Sequence, residues 1–146
     1  VEFLPAPALK GGKVTERLLQ YETELVVLAG FLLRVPIDML EAYPDRIVNI
    51  HPSLLPKFGG KGMYGSRVHE AVLASGEQES GITIHYINEH YDEGAIILQA
   101  KCPVLEGDTP DTLASRVHQL EYEHYPKIIE ELLCDHPTCP NNLFLG

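Results

Sequence analysis

The sequence predicts an α/β fold: a mostly parallel sheet that carries an antiparallel hairpin and is flanked by helices. Three observations predict it. Leu25-Val26-Val27-Leu28-Ala29-Gly30 and Ile47-Val48-Asn49-Ile50 are short, nearly unbroken apolar and β-branched runs, the composition of parallel strands buried on both faces. A helical stretch lies between them, as in a crossover connection. Ser80 to Ile87 and Ala95 to Val104 flank a polar loop ending in Gly94, and the period of two in the first of them is that of a strand, so the pair reads as an antiparallel hairpin.

The remaining elements follow from periodicity and punctuation. Val1 to Leu4 is a short apolar stub before Pro5, Pro7, Gly11 and Gly12, and reads as a strand end or a loop. Val14, Leu18 and Tyr21 share one helical face. Pro36 suits the first turn of a helix through Met39-Leu40-Glu41-Ala42, and Pro44-Asp45 ends it. Ser66 to Ala74 is helical with Val68, Val72 and Leu73 inward, and Gly76 is a plausible cap. Thr109-Pro110-Asp111 supplies a capping hydroxyl, a first-turn proline and an early acid, and Leu113, Val117 and Leu120 mark the buried face that follows. Pro126 is expected to kink or divide that helix before Ile128, Ile129 and Leu132 resume the period. From Cys134 onward the prolines and Asn141-Asn142 read as a loose tail, so residues 1–133 form one expected domain and 134–146 a tail.

Composition excludes several function classes. With 146 residues, 45% of them hydrophobic, there is material for one core. A formal net charge of -10 disfavours nucleic acid and acidic membrane faces, which demand clustered Lys and Arg. The longest apolar run, Leu25 to Val35, is interrupted by Gly30 and Arg34 and is too short to span a bilayer, and the first residues lack the pattern of a signal peptide. Cys102, Cys134 and Cys139 are odd in number and lack zinc-ligand spacing, so they read as reduced thiols. The expectation is a cytoplasmic protein without metal, membrane or nucleic-acid partners.

The densest polar chemistry is Asn49-Ile50-His51-Pro52-Ser53-Leu54-Leu55-Pro56. It falls at a strand's carboxyl end, where α/β folds bind ligands. Asn49 and His51 alternate, so their side chains project to the same side. An amide that donates to a carbonyl oxygen, beside an imidazole that handles a proton, is what acyl transfer to an amine requires. The same pair would also serve as a strand cap and a turn bond. Asp92 is the carboxylate to seek beside His51, although taken alone an Asp before a glycine-containing turn is more often a solvated turn residue. Phe58-Gly59-Gly60-Lys61-Gly62 lacks phosphate-loop spacing and reads as a surface loop. His85, His90, His118 and His124 have no helical zinc spacing, and His69 and His136 read as surface residues.

Three stretches together carry a resemblance: Asn49 to Pro56, Gly81-Ile82-Thr83-Ile84-His85, and Asp92-Glu93-Gly94-Ala95-Ile96-Ile97-Leu98-Gln99. As a set they closely resemble the glycinamide ribonucleotide formyltransferase family, and Leu28 to Arg34 and the Glu121 helix fit the same pattern. The resemblance covers nearly all of the chain up to about residue 133. It implies a formyltransferase-like, Rossmann-like fold and transfer of a formyl group from 10-formyltetrahydrofolate to the amine of glycinamide ribonucleotide in purine biosynthesis. Asn49 and His51 would bind the formyl oxygen, and Asp92 would pair with His51 and organise proton removal. Leu32, Leu33, Arg34 and Val35, with Ile87, Asn88, Glu89 and Tyr91, would line the folate pocket. Ile50, Pro52, His118 and Glu121 would contact the nucleotide, Glu121 at the ribose hydroxyls.

The resemblance has two departures. Gly59 to Tyr64 looks like a family variant at the cleft rim. Members of the family begin with a strand and a glycine-rich turn that holds the substrate phosphate at a helix N-terminus. No such turn precedes Val1, so the expectation is a chain lacking its N-terminal strands and phosphate site, with an exposed sheet edge and weak nucleotide binding. The same chemistry with another acceptor (methionyl-tRNA, a sugar nucleotide amine, or water in a formyltetrahydrofolate hydrolase) is the alternative, as is a non-catalytic folate-binding fragment. Pro52 favours the glycinamide ribonucleotide enzyme within the resemblance, and the acidic charge argues against tRNA.

Overall fold

Four strands form a mixed sheet in the order β1-β2-β3-β4, built from β1 (Val26–Ala29), β2 (Ile47–His51), β3 (Glu79–Tyr86) and β4 (Ile96–Pro103). The structure is a computed structural model, and it describes residues 4, 7–30, 33–90 and 92–134. The expected roles of Leu32 and Tyr91, and the tail beyond Cys134, lie outside these residues. β1 and β2 run parallel, with Leu28 opposite Asn49. β2 and β3 are antiparallel, with Asn49 opposite His85, and β3 and β4 are antiparallel with an irregularity between Ile84 and His85. Among the described strands the parallel part is therefore one pair, a smaller share than the mostly parallel sheet expected.

Helices lie on both faces. α1 (Pro7–Lys10), α2 (Lys13–Gln20) and α3 (Ile37–Ala42) accompany a core of Leu9, Val26, Val35, Met39, Tyr43 and Ile47. α4 (Ser66–Ala74) and α5 (Pro110–Cys134) share the larger core, with Val48, Ile50, Val72, Ile82, Ile84, Leu113, Val117 and Ile128. Ile47 thus serves one core and Val48 and Ile50 the other, because successive strand side chains alternate faces. β1 departs from the expectation of burial on both faces: Val26 is buried but Val27 is 39% exposed. Among the described strands it is one of the two at an edge of the sheet, and no described element covers Val27.

The predicted helix signals operate as chemistry demands. Thr109 Oγ1 accepts the Thr112 N–H at 3.2 Å, capping α5. Gly76, with φ +70°, donates its N–H to Leu73, and Glu77 donates to Val72, which closes α4 as a Schellman motif. α5 runs unbroken through Pro126, against the expected division. Leu113 and Val117 before the proline and Ile128 and Leu132 after it bury in the same core. That burial outweighs the roughly 3 kcal/mol cost of a mid-helix proline. α5 is also tied to the sheet, because Tyr125 Oη donates to the Leu28 carbonyl at 2.7 Å. Cys102 is a buried free thiol and Cys134 is disulfide-bonded, so the expectation of three reduced thiols is corrected. No helix among the described residues is long and apolar enough to cross a membrane.

One contact sets a pH dependence. Arg116 donates to both oxygens of Asp108, at 2.8 and 3.0 Å, and the Leu105 N–H donates at 2.7 Å. The guanidinium, then the backbone bond, holds the Asp108 carboxyl well below the usual carboxylate range. Its folded pKa lies below the unfolded one, so the stabilisation is present above about pH 3.9 and is lost as pH falls through the folded value. Asp108→Asn is expected to flatten the decline of the urea midpoint below about pH 4, relative to the parent chain.

Candidate active site

The site begins at the carboxyl end of β2. Asn49 and His51 project to one side of the strand, as their alternation requires. His51 is buried, and its Nε2 lies 2.7 Å from the Phe58 carbonyl. A carbonyl only accepts, so Nε2 carries the proton and donates. In the neutral ring Nδ1 is then bare, and it faces Asp92 Oδ1 at 3.7 Å. Two acceptors face each other there.

Asn49 is oriented by a second histidine. His85 is fully buried on β3, and its Nδ1 lies 2.9 Å from the Tyr86 carbonyl, so Nδ1–H donates and Nε2 accepts. Burial lowers the His85 pKa by more than the Tyr86 bond and the facing Asp92 raise it, which keeps the ring neutral. Asn49 Nδ2 sits 3.4 Å from that bare Nε2 and donates to it. The amide orientation follows from the imidazole tautomer. One Nδ2 hydrogen remains for a ligand, and Asn49 Oδ1 is buried with no partner among the described residues.

Asp92 closes the group from the β3–β4 loop. Its Oδ1 is 3.7 Å from both His51 Nδ1 and His85 Nε2, and its Oδ2 accepts the Gly60 N–H at 2.9 Å. Asp92 adopts φ +53°, a left-handed conformation that Asp tolerates better than most residues. Gly94 permits it, since a side chain there would collide with the Tyr86 carbonyl. The glycine-rich stretch read as a surface loop is therefore part of the site: Phe58 holds His51 and Gly60 holds Asp92. A methyl at Gly59 would sit 2.5 Å from Leu55 Cδ2 and 3.3 Å from Asp92 Cβ. Gly59→Ala is expected to destabilise by about 1–3 kcal/mol through overpacking, measured by urea unfolding.

Below this loop lies the polar face of β3. Thr83 Oγ1 accepts the Leu55 N–H at 3.0 Å and donates to the Ser53 carbonyl at 2.7 Å, and Gln99 Nε2 donates to the Leu55 carbonyl at 2.9 Å. Ser53 Oγ donates to the Lys57 carbonyl at 2.7 Å. These bonds brace the turn after His51, so the stiffness comes from side-chain bonds as well as from Pro52 and Pro56.

Two cavities meet at the polar group. The larger, about 320 Å³, is lined by Ile50, His51, Pro52, His118 and Glu121 among others. The smaller, about 50 Å³, is lined by Leu33, Arg34, Val35, Ile87, Asn88 and Glu89 among others. Asn49 and Asp92 line both. Every described residue anticipated for the folate side falls on the smaller cavity, and every one anticipated for the nucleotide side on the larger. Glu121 and His118 lie four and seven residues before Tyr125, one face of α5, so the Tyr125 bond to β1 fixes their height over the strand ends. His118 Nδ1 and Glu121 Oε2 are 3.1 Å apart.

Sequence reasoning missed His85 as a partner of Asn49 and misplaced His69. Far from being a surface residue, His69 is 3% exposed and lines the larger cavity. For His85 a signal existed, since a histidine two residues after a threonine on a strand directly opposite Asn49 needs a polar partner.

A strand-end amide and imidazole, a carboxylate returned by a hairpin and paired cavities define the class of the protein. Residues 6–129 match the family described as formyl transferase, and the chain belongs to that family. It is 46% identical over 125 residues to the chloroplastic phosphoribosylglycinamide formyltransferase of Arabidopsis thaliana, covering 86% of this chain and 43% of that protein. The crystal structure of glycinamide ribonucleotide transformylase 1 from Symbiobacterium toebii superposes with a TM-score of 0.76 at 42% identity, covering 86% of this chain and 57% of that one. Phosphoribosylglycinamide formyltransferase from Bacillus halodurans gives a TM-score of 0.79 at 34% identity, covering 98% and 69%. The chain spans less than two thirds of the curated relatives from Arabidopsis thaliana, Vigna unguiculata and Bacillus subtilis.

Proposed function

We propose that residues 1–133 carry the formyl-transfer site of a cytoplasmic phosphoribosylglycinamide formyltransferase, which passes a formyl group from 10-formyltetrahydrofolate to the amine of glycinamide ribonucleotide. The observation that carries this reading is that Asn49 and Asp92 line both cavities at once. A donor in one cavity and an acceptor in the other would meet at these two side chains.

The smaller cavity suits the folate in character, with Leu33, Val35 and Ile87 offering apolar walls to a planar ring. At about 50 Å³ it is narrower than ligand sites usually are, so the segment from Ile87 to His90 moves outward when the ring enters. Glu121, an acceptor on the wall of the larger cavity, suits the hydroxyls of a ribose.

In the transfer the amine nitrogen bonds to the formyl carbon, the bond from that carbon to the folate nitrogen breaks, and the proton lost by the amine is balanced by one gained at the folate nitrogen. Asn49 donates its free N–H to the oxygen as it becomes an oxyanion. The bare His51 Nδ1 and Asp92 Oδ1 take up the amine proton and hold it between them until it is returned to the leaving nitrogen. His51 Nε2 stays bonded to Phe58, so the ring accepts at Nδ1 without turning.

Turnover of 10-formyltetrahydrofolate with glycinamide ribonucleotide, methionyl-tRNA, a sugar nucleotide amine and water as competing acceptors tests the assignment. Formylation of glycinamide ribonucleotide well above the others is expected. Preference for water or for another amine, or folate binding without any transfer, would overturn it.

A further inference from the structure

His69 is a buried titratable group to which the transfer chemistry gives no task. It lies on the first half of α4 and lines the larger cavity, and no hydrogen bond to it is found among the described residues. Of its two ring nitrogens, Nδ1 is the one sealed from solvent without a partner. Burial, with His118 and His51 nearby, pulls its pKa below the ordinary value, so the ring is neutral and carries one N–H. A sealed, unpaired donor is costlier and rarer than a sealed, unpaired acceptor. The proton therefore sits on Nε2, the nitrogen that keeps contact with the cavity, and His69 presents a donor with nothing to receive it.

The place of that donor limits what it meets. His69 lines the same cavity as His51 at the reacting group and as His118 and Glu121 on α5. Glu121 is an acceptor and calls for hydroxyl donors, whereas Asn49 faces the formyl oxygen and Asp92 the amine. A molecule that fills this cavity must then offer an acceptor to His69.

We propose that His69 is a specificity-determining residue, its Nε2–H donating to the carbonyl oxygen of the glycinamide arm that joins the sugar to the reacting amine. The inference rests on the acceptor being glycinamide ribonucleotide. It explains why a polar side chain of the cavity wall is buried unpaired: the missing partner arrives with the substrate. A substrate with a methylene in place of that carbonyl leaves the donor unpaired and is discriminated against.

The test uses the whole chain and two readouts. In the unaltered protein, long-range imidazole nitrogen spectra are expected to show His69 as the Nε2–H form and to shift its Nε2 signal when glycinamide ribonucleotide is added, but not when folate alone is added. His69→Leu is expected to raise KM for the nucleotide by about 10-fold with kcat and folate affinity nearly unchanged. His69→Gln, which keeps an N–H near the Nε2 position, is expected to recover most of that loss. Nucleotide binding that leaves the His69 signals unmoved, or equal KM values for the Leu, Gln and parent proteins, would overturn this inference alone. A parent chain that turns over another acceptor but does not bind the nucleotide would overturn the functional reading and this inference with it.

Discussion

Asp92→Asn is expected to lower formyl transfer by about 10²–10⁴-fold, the range for loss of a positioned acid–base group, while leaving folate affinity within a few-fold of the parent. The substitution is nearly isosteric. Its carbonyl oxygen still accepts the Gly60 N–H that Asp92 Oδ2 accepts at 2.9 Å. Its NH₂ then faces His51 Nδ1 and His85 Nε2, both bare acceptors 3.7 Å from the native Oδ1. The amide satisfies those nitrogens better than the carboxylate does, so the fold is kept. The chemistry is lost for the same reason, because a donor now occupies the position where a proton must be received. Single-turnover transfer and folate titration on one preparation separate the two effects, and near-normal transfer would remove Asp92 from the reaction.

Asn49→Ala is expected to cost about 10²–10³-fold in kcat, as removal of one oxyanion donor does. Its effect on stability should be small. The change leaves His85 Nε2 without the donor 3.4 Å away, yet it also removes Asn49 Oδ1, a buried acceptor with no partner among the described residues. The two terms oppose each other at about 1 kcal/mol each. A urea midpoint close to the parent's together with a large loss of kcat is the expected pair of results. A large loss of stability with transfer intact would make Asn49 a structural residue.

The legible parts of the sequence were those set by local rules. Apolar runs marked β1 and β2, the period of two in Ser80 to Ile87 marked β3, Gly94 marked the turn, and Thr109-Pro110 marked the start of α5. Asn49 and His51 could be placed on one side of β2 from alternation alone. What escaped were features created by long-range contact. Gly59 and Gly60 look like a surface loop until Asp92, 32 residues beyond Gly60, accepts the Gly60 N–H. Thr83 looks like the wet face of an amphipathic strand until the turn after His51 bonds to it, and His85 until Asn49 and Asp92 meet it. His69 looks like an exposed helical histidine because what stands over it is the first half of α5, which begins only at Pro110, across the cavity that both line. Pro126 reads as a breaker because propensity is local, whereas the burial of Ile128 and Leu132 that holds the helix together is not.

The central claim is that donor and acceptor occupy separate cavities that share only the polar group between them. It is tested most directly by side-chain resonance mapping of the chain titrated with each ligand alone. A folate analogue is expected to shift the methyl groups of Leu33, Val35 and Ile87, and glycinamide ribonucleotide those of Ile50, Met63 and Ala114. The Asn49 side-chain amide should respond to both. Overlapping methyl footprints, or an Asn49 amide that responds to neither ligand, would contradict the account.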